Sequence, residues 1–367
     1  MSTTPDDALQ DYAVTEADDG VLDEAEEGEP DEQVPVRYDI TSFGADFIVD
    51  GLVKRLRESD VYIPPFQRNF VWSTRDASRF IESLLLGLPV PGIFLSKDEN
   101  SRLLVVDGQQ RLKSLLSYYN DDLRDKHFKL QDVDLAFNGK RYSELDAADR
   151  RNLDNSVIHA TIVQQNEPTD DDSGIYSIFE RLNNGGRRLY PQEIRASIFT
   201  GAFSKLLSEL NENEKWRAIY GEKESARLKD VEMILRFFAL RYKNDSYEKP
   251  MKSFLNRFMK ANRDLSEERR NNFRREFEAT ISTIESALGT RAFRPAKAFN
   301  AAVFDSVMVG VAIRLQQRDE LSDGSLKLAY EALVKDAAFV AAYQRATSDP
   351  ESVKERIRLA TNAFAAA

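Results

Sequence analysis

Leu103-Leu104-Val105-Val106-Asp107-Gly108-Gln109-Gln110-Arg111-Leu112 is the stretch whose reading decides the fold. Four consecutive apolar residues, two of them Val, predict a buried strand. They run into Asp-Gly and then into a segment whose apolar members, Leu112, Leu115, Leu116 and Tyr119, recur at helical spacing. A strand, a glycine turn and a helix opening on polar residues turn backbone N–H groups outward at the helix start, a natural anion site. Arg111 adds a planar donor fork suited to phosphate. A second reading stays open: Asp107 caps the helix, Gln110 at N3 closes a capping-box-like pair, and no ligand is required.

Outward from this stretch, residues 47–58 predict a short helix and Val61-Tyr62-Ile63 a strand halted by Pro64-Pro65. Ser73 or Thr74 caps a helix whose inward face is Phe80, Ile81, Leu84 and Leu85, with Gly87 and Pro89 ending it. Residues 92–96 and 102–106 read as two strands joined by a turn, and 157–163 as another. The polar, acidic stretch 169–174 reads as a linker or surface loop. Helical periods follow at 175–182, 191–199, 228–242, 253–261, 267–288, 299–316, 327–346 and 352–366. In 228–242 the stripe Leu228, Val231, Ile234, Leu235, Phe238 and Tyr242 is core packing. The fold class is α+β: an α/β domain over residues 36–166 followed by a mainly helical domain over 167–367.

The chain has 367 residues, enough for two folded units, and no cysteine, which excludes disulfides, thiolate chemistry and every Cys-containing zinc site. His127 and His159 stand alone, too few for a His-based metal centre or a histidine-dependent finger nuclease. No apolar run reaches membrane-spanning length and no signal peptide is legible, so a cytoplasmic protein with no membrane partner is expected. The net charge of −11 is concentrated in residues 1–35, which hold thirteen acidic residues and no Lys or Arg. The remainder carries 51 basic against 49 acidic residues, a balance of +2. The tail is therefore expected to be disordered and solvating, or to screen a basic groove. The charge neither supports nor excludes a nucleic-acid partner.

Three further polar groups stand out. In Ile63-Pro64-Pro65-Phe66-Gln67-Arg68-Asn69-Phe70-Val71-Trp72, two prolines stiffen the backbone before Gln67 and Arg68. Such a pair suits an anion or a base edge, or Arg68 makes a structural ion pair. In Phe179-Glu180-Arg181-Leu182-Asn183-Asn184-Gly185-Gly186-Arg187-Arg188, the turn is either a helix C-cap or a phosphate-sized nest flanked by arginines. Glu193 then lies in the first turn of the Pro191 helix with Arg195 beyond it, a structural pair as readily as a catalytic one. Finally, Arg227 with Asp230 and Glu232 with Arg236 are spaced to interact along one helix. None of these is a P-loop or a dinucleotide fingerprint.

Taken in order, Pro64-Pro65-Phe66-Gln67-Arg68 with Trp72, Asp107-Gly108-Gln109-Gln110-Arg111-Leu112, and Phe179-Glu180-Arg181-Leu182-Asn183-Asn184-Gly185-Gly186 with Gln192-Glu193-Ile194-Arg195 resemble the N-terminal domain family of GmrSD-type restriction endonucleases. Arg236-Phe237-Phe238 and Phe304-Asp305 extend the resemblance. It implies a core like that of ParB and sulfiredoxin, nucleoside triphosphate binding and hydrolysis at the Asp107 motif, and a role in phage restriction with DNA as partner. The family's separate His-dependent nuclease domain has no counterpart here, since no His follows His159. A separate nuclease or defence effector, and a homo-oligomer, are the expected partners.

The mechanism expected from this reading sets triphosphate against the Gln109 helix, with Arg111 and Arg68 as clamps and Gly108 giving close backbone approach. Asp107 serves as a Mg²⁺ ligand, and Gln109 or Gln110 orients the attacking water. The alternatives are a non-enzymatic DNA-binding or protein-interaction module, and a metal-dependent nickase using Asp107 and Glu193.

Overall fold

The computed structural model describes residues 21–22, 39–63, 70–98, 100–124, 126–167, 173–182, 189–317 and 321–367. Its strands are β1 (Val21–Leu22), β2 (Asp39–Ile48), β3 (Val61–Tyr62), β4 (Ile93–Lys97), β5 (Leu103–Asp107), β6 (Val157–Glu167) and β7 (Phe299–Asn300). Five of them form one mixed sheet in the order β2-β6-β4-β5-β3. Strands β2 and β6 pair antiparallel along nearly their whole length, whereas β3 runs parallel to β5 and β4 antiparallel to it.

The apolar run of β5 is explained by burial on both faces. Leu103 and Val105 enter one core with Ile93, Leu95 and Ile162; Leu104 and Val106 enter another with Val163 and the helical residues that follow. Such double burial removes the apolar/polar alternation of a half-exposed strand. The first core is closed by α1 (Val49–Arg57), α2 (Thr74–Leu85), α3 (Gln109–Asn120) and α4 (Ala147–Asn155). Ser73 is the N-cap of α2, its hydroxyl accepting from the Asp76 N–H at 3.1 Å while Asp76 accepts from the Ser73 N–H at 3.2 Å.

The second core is built by α5 (Ser173–Leu182), α6 (Pro191–Ile198), α7 (Ala202–Asn211), α8 (Glu214–Tyr220), α9 (Lys229–Lys243), α10 (Met251–Ala261), α11 (Glu267–Leu288), α12 (Ala301–Gln317), α13 (Asp323–Leu333), α14 (Ala337–Gln344) and α15 (Pro350–Ala365). No helix among the described residues is long and apolar enough to cross a membrane. The mixed region followed by a long helical stretch agrees with the α+β expectation. The sequence pattern missed β2, α4, α7 and α8. Strand β2 lies at the sheet edge and exposes most of its side chains, so it has no clean alternation to read. Residues 327–346 are two helices rather than one, because the Asp336 carboxylate caps α14 by accepting from the Phe339 N–H at 2.8 Å. Residues 299–300, expected as the start of a helix, form β7 and pair in parallel with Val21–Leu22 from the acidic segment.

Helix α9 crosses the middle of the helical unit, and residues 230–240 are buried without a break. The stripe read from the sequence is core up to Phe238, while Tyr242 is 41% exposed and donates to Glu276. The ion pairs expected along this helix form across to other elements instead. Arg217 Nη1 donates to Asp230 at 2.9 Å, Arg195 Nη1 to Glu232 at 2.6 Å, and Arg227 Nη1 to Glu193 at 3.3 Å. Arg236 grips Asp305 with two bonds, Nε to Oδ1 at 3.1 Å and Nη2 to Oδ2 at 2.7 Å, and Arg356 Nη2 reaches the same Oδ2 at 3.1 Å. A helix buried all round has no solvent to satisfy its charges, so each is met by a neighbouring element. Asp305→Ala removes the carboxylate that two buried guanidinium groups share. Denaturant unfolding should show a loss of about 3–5 kcal/mol, and a loss below ~1 kcal/mol would mean that the interior relaxes to hydrate them.

Candidate functional site

Parallel pairing of β3 with β5 directs both strands toward the same end of the sheet, and the Asp107 turn lies there. Asp107 is the last residue of β5, and Gly108, not Asp107, is the N-cap of α3. The capping pair of the second, ligand-free reading is therefore absent: Gly108 has no side chain to cap with, and Gln110 stands at N2. Gly108 has φ +97°, and a Cβ placed there would sit 2.5 Å from Cγ2 of Ile93 on β4. The turn needs glycine for its backbone conformation and for the close approach of β4.

The Asp107 carboxylate turns along the helix to Arg111, whose Nη2 donates to Oδ2 at 2.8 Å. The carboxylate side chain is 40% exposed and the guanidinium 13%, so Asp107 is the group offered to solvent and Arg111 supports it from below. Gln110 turns away from the pair. Its Oε1 accepts from the backbone N–H of Val71 at 3.0 Å and of Trp72 at 3.3 Å. Arg124 completes the attachment, one Nη2 donating to the carbonyls of Phe70 at 3.1 Å and Trp72 at 3.0 Å. The second polar segment, through its described residues 70–72, is thus brought against the start of α3. Gln67 and Arg68 lie outside the described residues. On the strand before them, the Tyr62 hydroxyl donates to Asp98 at 3.4 Å and Arg102 stacks on its ring. Burial first, and Asp98 second, push the Tyr62 phenol up to about 12, so it stays a donor at neutral pH.

The third polar group does not assemble with the first by any described bond. Glu193 Oε2 accepts from the Tyr190 N–H at 2.7 Å and from Arg227, capping α6 as its first-turn position suggested. Arg195 is fully buried, and its nearest carboxylate is Glu232 rather than Glu193; its Nε also donates to Asn256 at 2.9 Å. These bonds are those of a structural network. Arg181 is exposed at the end of α5, and Asn183, Asn184, Gly185 and Gly186 lie outside the described residues. The two histidines are far apart in sequence, and each meets a single aspartate: His159 with Asp46 at 2.5 Å across β6 and β2, His127 with Asp121 at 2.8 Å. Among the described residues no group of three or more His, Asp or Glu side chains is arranged to hold a metal.

Sequence reasoning missed Arg124. It lies in no motif, and the one local signal is its left-handed backbone, φ +56°, visible only in the fold.

The architecture and the turn define an α+β protein in which a polar, ion-paired strand-to-helix turn sits at the end of a sheet backed by a large helical unit. Residues 49–200 match the family model of the GmrSD restriction endonuclease, N-terminal domain, and this stretch of the chain is similar to that family. The chain is also 37% identical to an uncharacterized protein of Methanocaldococcus jannaschii, MJ0686, over a stretch that covers 17% of this chain and 15% of that protein.

Gly108→Ala tests the geometry of the turn. The substitution forces a Cβ into Ile93 and a left-handed conformation, and should cost about 1–3 kcal/mol in thermal or denaturant unfolding. Ile93→Ala removes the obstructing Cγ2, so the double variant should lose less than the sum of the singles. Strict additivity would show that the clash is not the cause.

Proposed function

We propose that this chain is a nucleoside-triphosphate-binding, Mg²⁺-dependent hydrolase of a restriction system, its nucleotide held at the Asp107-Gly108-Gln109-Gln110-Arg111 turn of a ParB- and sulfiredoxin-like core. The observation that carries the reading is the exposed Asp107 carboxylate, fixed by Arg111 at the opening of α3. The residues fit a particular form of the ion. Mg²⁺ keeps several waters and takes one or two protein carboxylates together with substrate phosphates. A lone aspartate suits an ion that arrives on a triphosphate and would not retain a free one.

Arg111 holds Asp107 in place through one N–H, and its remaining donors are available to a phosphate oxygen. Gly108 lets the backbone come close, and the first-turn N–H groups of α3 favour negative charge. Bound Mg²⁺ supplies charge neutralisation to the phosphates, the larger part of what such hydrolysis requires. Water orientation is assigned to Gln109, and the Gln110 oxygen is engaged with Val71 and Trp72. DNA and a separate effector nuclease are the partners this reading assigns. A nickase built on Asp107 and Glu193 is disfavoured by Glu193, which is 9% exposed and held by Arg227.

Asp107→Asn separates the metal role from a structural one. Asparagine preserves the shape and one acceptor for Arg111 but is a weaker ligand for a hard cation. The variant should fold and lose phosphate release sharply, with partial rescue at high Mg²⁺. Unchanged turnover across a Mg²⁺ titration would sink the metal role.

Arg111→Ala removes a charge-assisted contact worth on the order of 1.5–3 kcal/mol, so affinity for a non-hydrolysable triphosphate should fall roughly tenfold to a hundredfold. Calorimetry showing wild-type affinity in a folded variant would take Arg111 out of the site.

A further inference from the structure

Residues 70–72 are held from both sides by side chains that belong to different parts of the chain. Gln110, in the first turn of α3, accepts the N–H groups of Val71 and Trp72. Arg124, after the end of α3, donates to the carbonyls of Phe70 and Trp72 and lies 5.7 Å from the Phe70 ring centroid. One side chain supplies only acceptors and the other only donors. Together they bond the backbone of three consecutive residues, replacing the water that would otherwise meet those groups. The far side of Trp72 rests edge-on against Phe80 of α2, with ring centroids 5.9 Å apart.

We propose that Gln110 and Arg124 are positioning residues: they clamp residues 70–72 to the start of α3, and the clamp sets how tightly the Asp107–Arg111 turn holds a nucleotide. This rests on the nucleotide-binding reading of the turn. The physical link is short. Gln110 and Arg111 are adjacent in the first turn of α3, so the bonds that fix the Gln110 side chain to Val71 and Trp72 also restrain the turn that presents Arg111 to Asp107. Val71, held by its N–H, leaves its side chain 60% exposed. Gln110 thus acts on the reaction through the backbone it holds and not on a water molecule.

The chain carries its own probe for this clamp. It has two tryptophans, of which Trp216 is fully buried and Trp72 half-exposed, so acrylamide quenching of the folded protein reports on Trp72. Quenching is measured on the full chain and on Arg124→Ala, Arg124→Lys, Gln110→Ala and Gln110→Glu, beside calorimetric titration with β,γ-imido-ATP and β,γ-imido-GTP. The two alanine variants should quench at least about twofold more steeply and bind the better probe about tenfold more weakly, with little change in the unfolding transition. Gln110→Glu keeps an acceptor oxygen and should restore the quenching, its added charge leaving affinity for the anionic probes low, while Arg124→Lys, with a single donor head, should restore both readouts in part. Unchanged quenching in Arg124→Ala and Gln110→Ala would show that there is no clamp in solution. Steeper quenching with unchanged affinity would show a clamp that does not position the site. If the full chain binds neither probe, the nucleotide reading fails and the positioning role falls with it, whereas the quenching result still decides whether the clamp exists.

Discussion

Burial of β5 on both faces is the constraint on which the rest of this structure depends. A strand covered on one side leaves a solvated face, and the helices that follow need only pack among themselves. Here Leu104 and Val106 belong to the helical core while Leu103 and Val105 belong to the α/β core. The two units consequently share a wall one strand thick. The residue after Val106 is Asp107, so the candidate site stands at the rim of that wall, and a shift of the helical unit against the sheet bears directly on the turn.

A second theme is how the helical unit accommodates its charge. Arginine serves there as a long, rigid tie between helices. Arg195, Arg217, Arg236 and Arg356 each reach a carboxylate or amide on another element. Ion pairs of this kind add little net stability over an apolar core, but they penalise misregistration strongly, because a slipped helix strands a charge. Trp216 and its ring neighbours Phe277, Phe299 and Phe304 show the complementary arrangement, edge-on and tilted contacts without a charge to satisfy.

Much of this was legible in the sequence where local pattern and tertiary role coincide. The strand, turn and helix around Gly108 follow from apolar run, glycine and periodicity, and the caps of α2 and α6 follow from Ser73 and from Glu193. What escaped depends on partners distant in the chain. Strand β2 owes its existence to β6, more than a hundred residues on, and its own side chains are mostly exposed. The helix cap at Gly108 displaced the more obvious Asp107, since Arg111 competes for the same carboxylate and prevails through charge. Pairs spaced for contact along α9 separated for the same reason, each drawn to a cross-helix partner that spacing cannot reveal. Arg124 had no signature at all, as its role consists of two carbonyls over fifty residues away.

The triad of Arg236, Asp305 and Arg356 has an evolutionary consequence. Its members come from three helices, α9, α12 and α15, and two guanidinium groups share one carboxylate, so loss of Asp305 leaves both arginines uncompensated whereas loss of one arginine leaves a neutral pair. An apolar trio of similar volume would be about as stable as the ionic one, or more so. The way there is steep if Asp305 changes first and shallower if an arginine does. Asp305 is therefore the position bound to change last, and what keeps the ionic arrangement in place is the valley that opens when it is lost first, not the height of the arrangement itself.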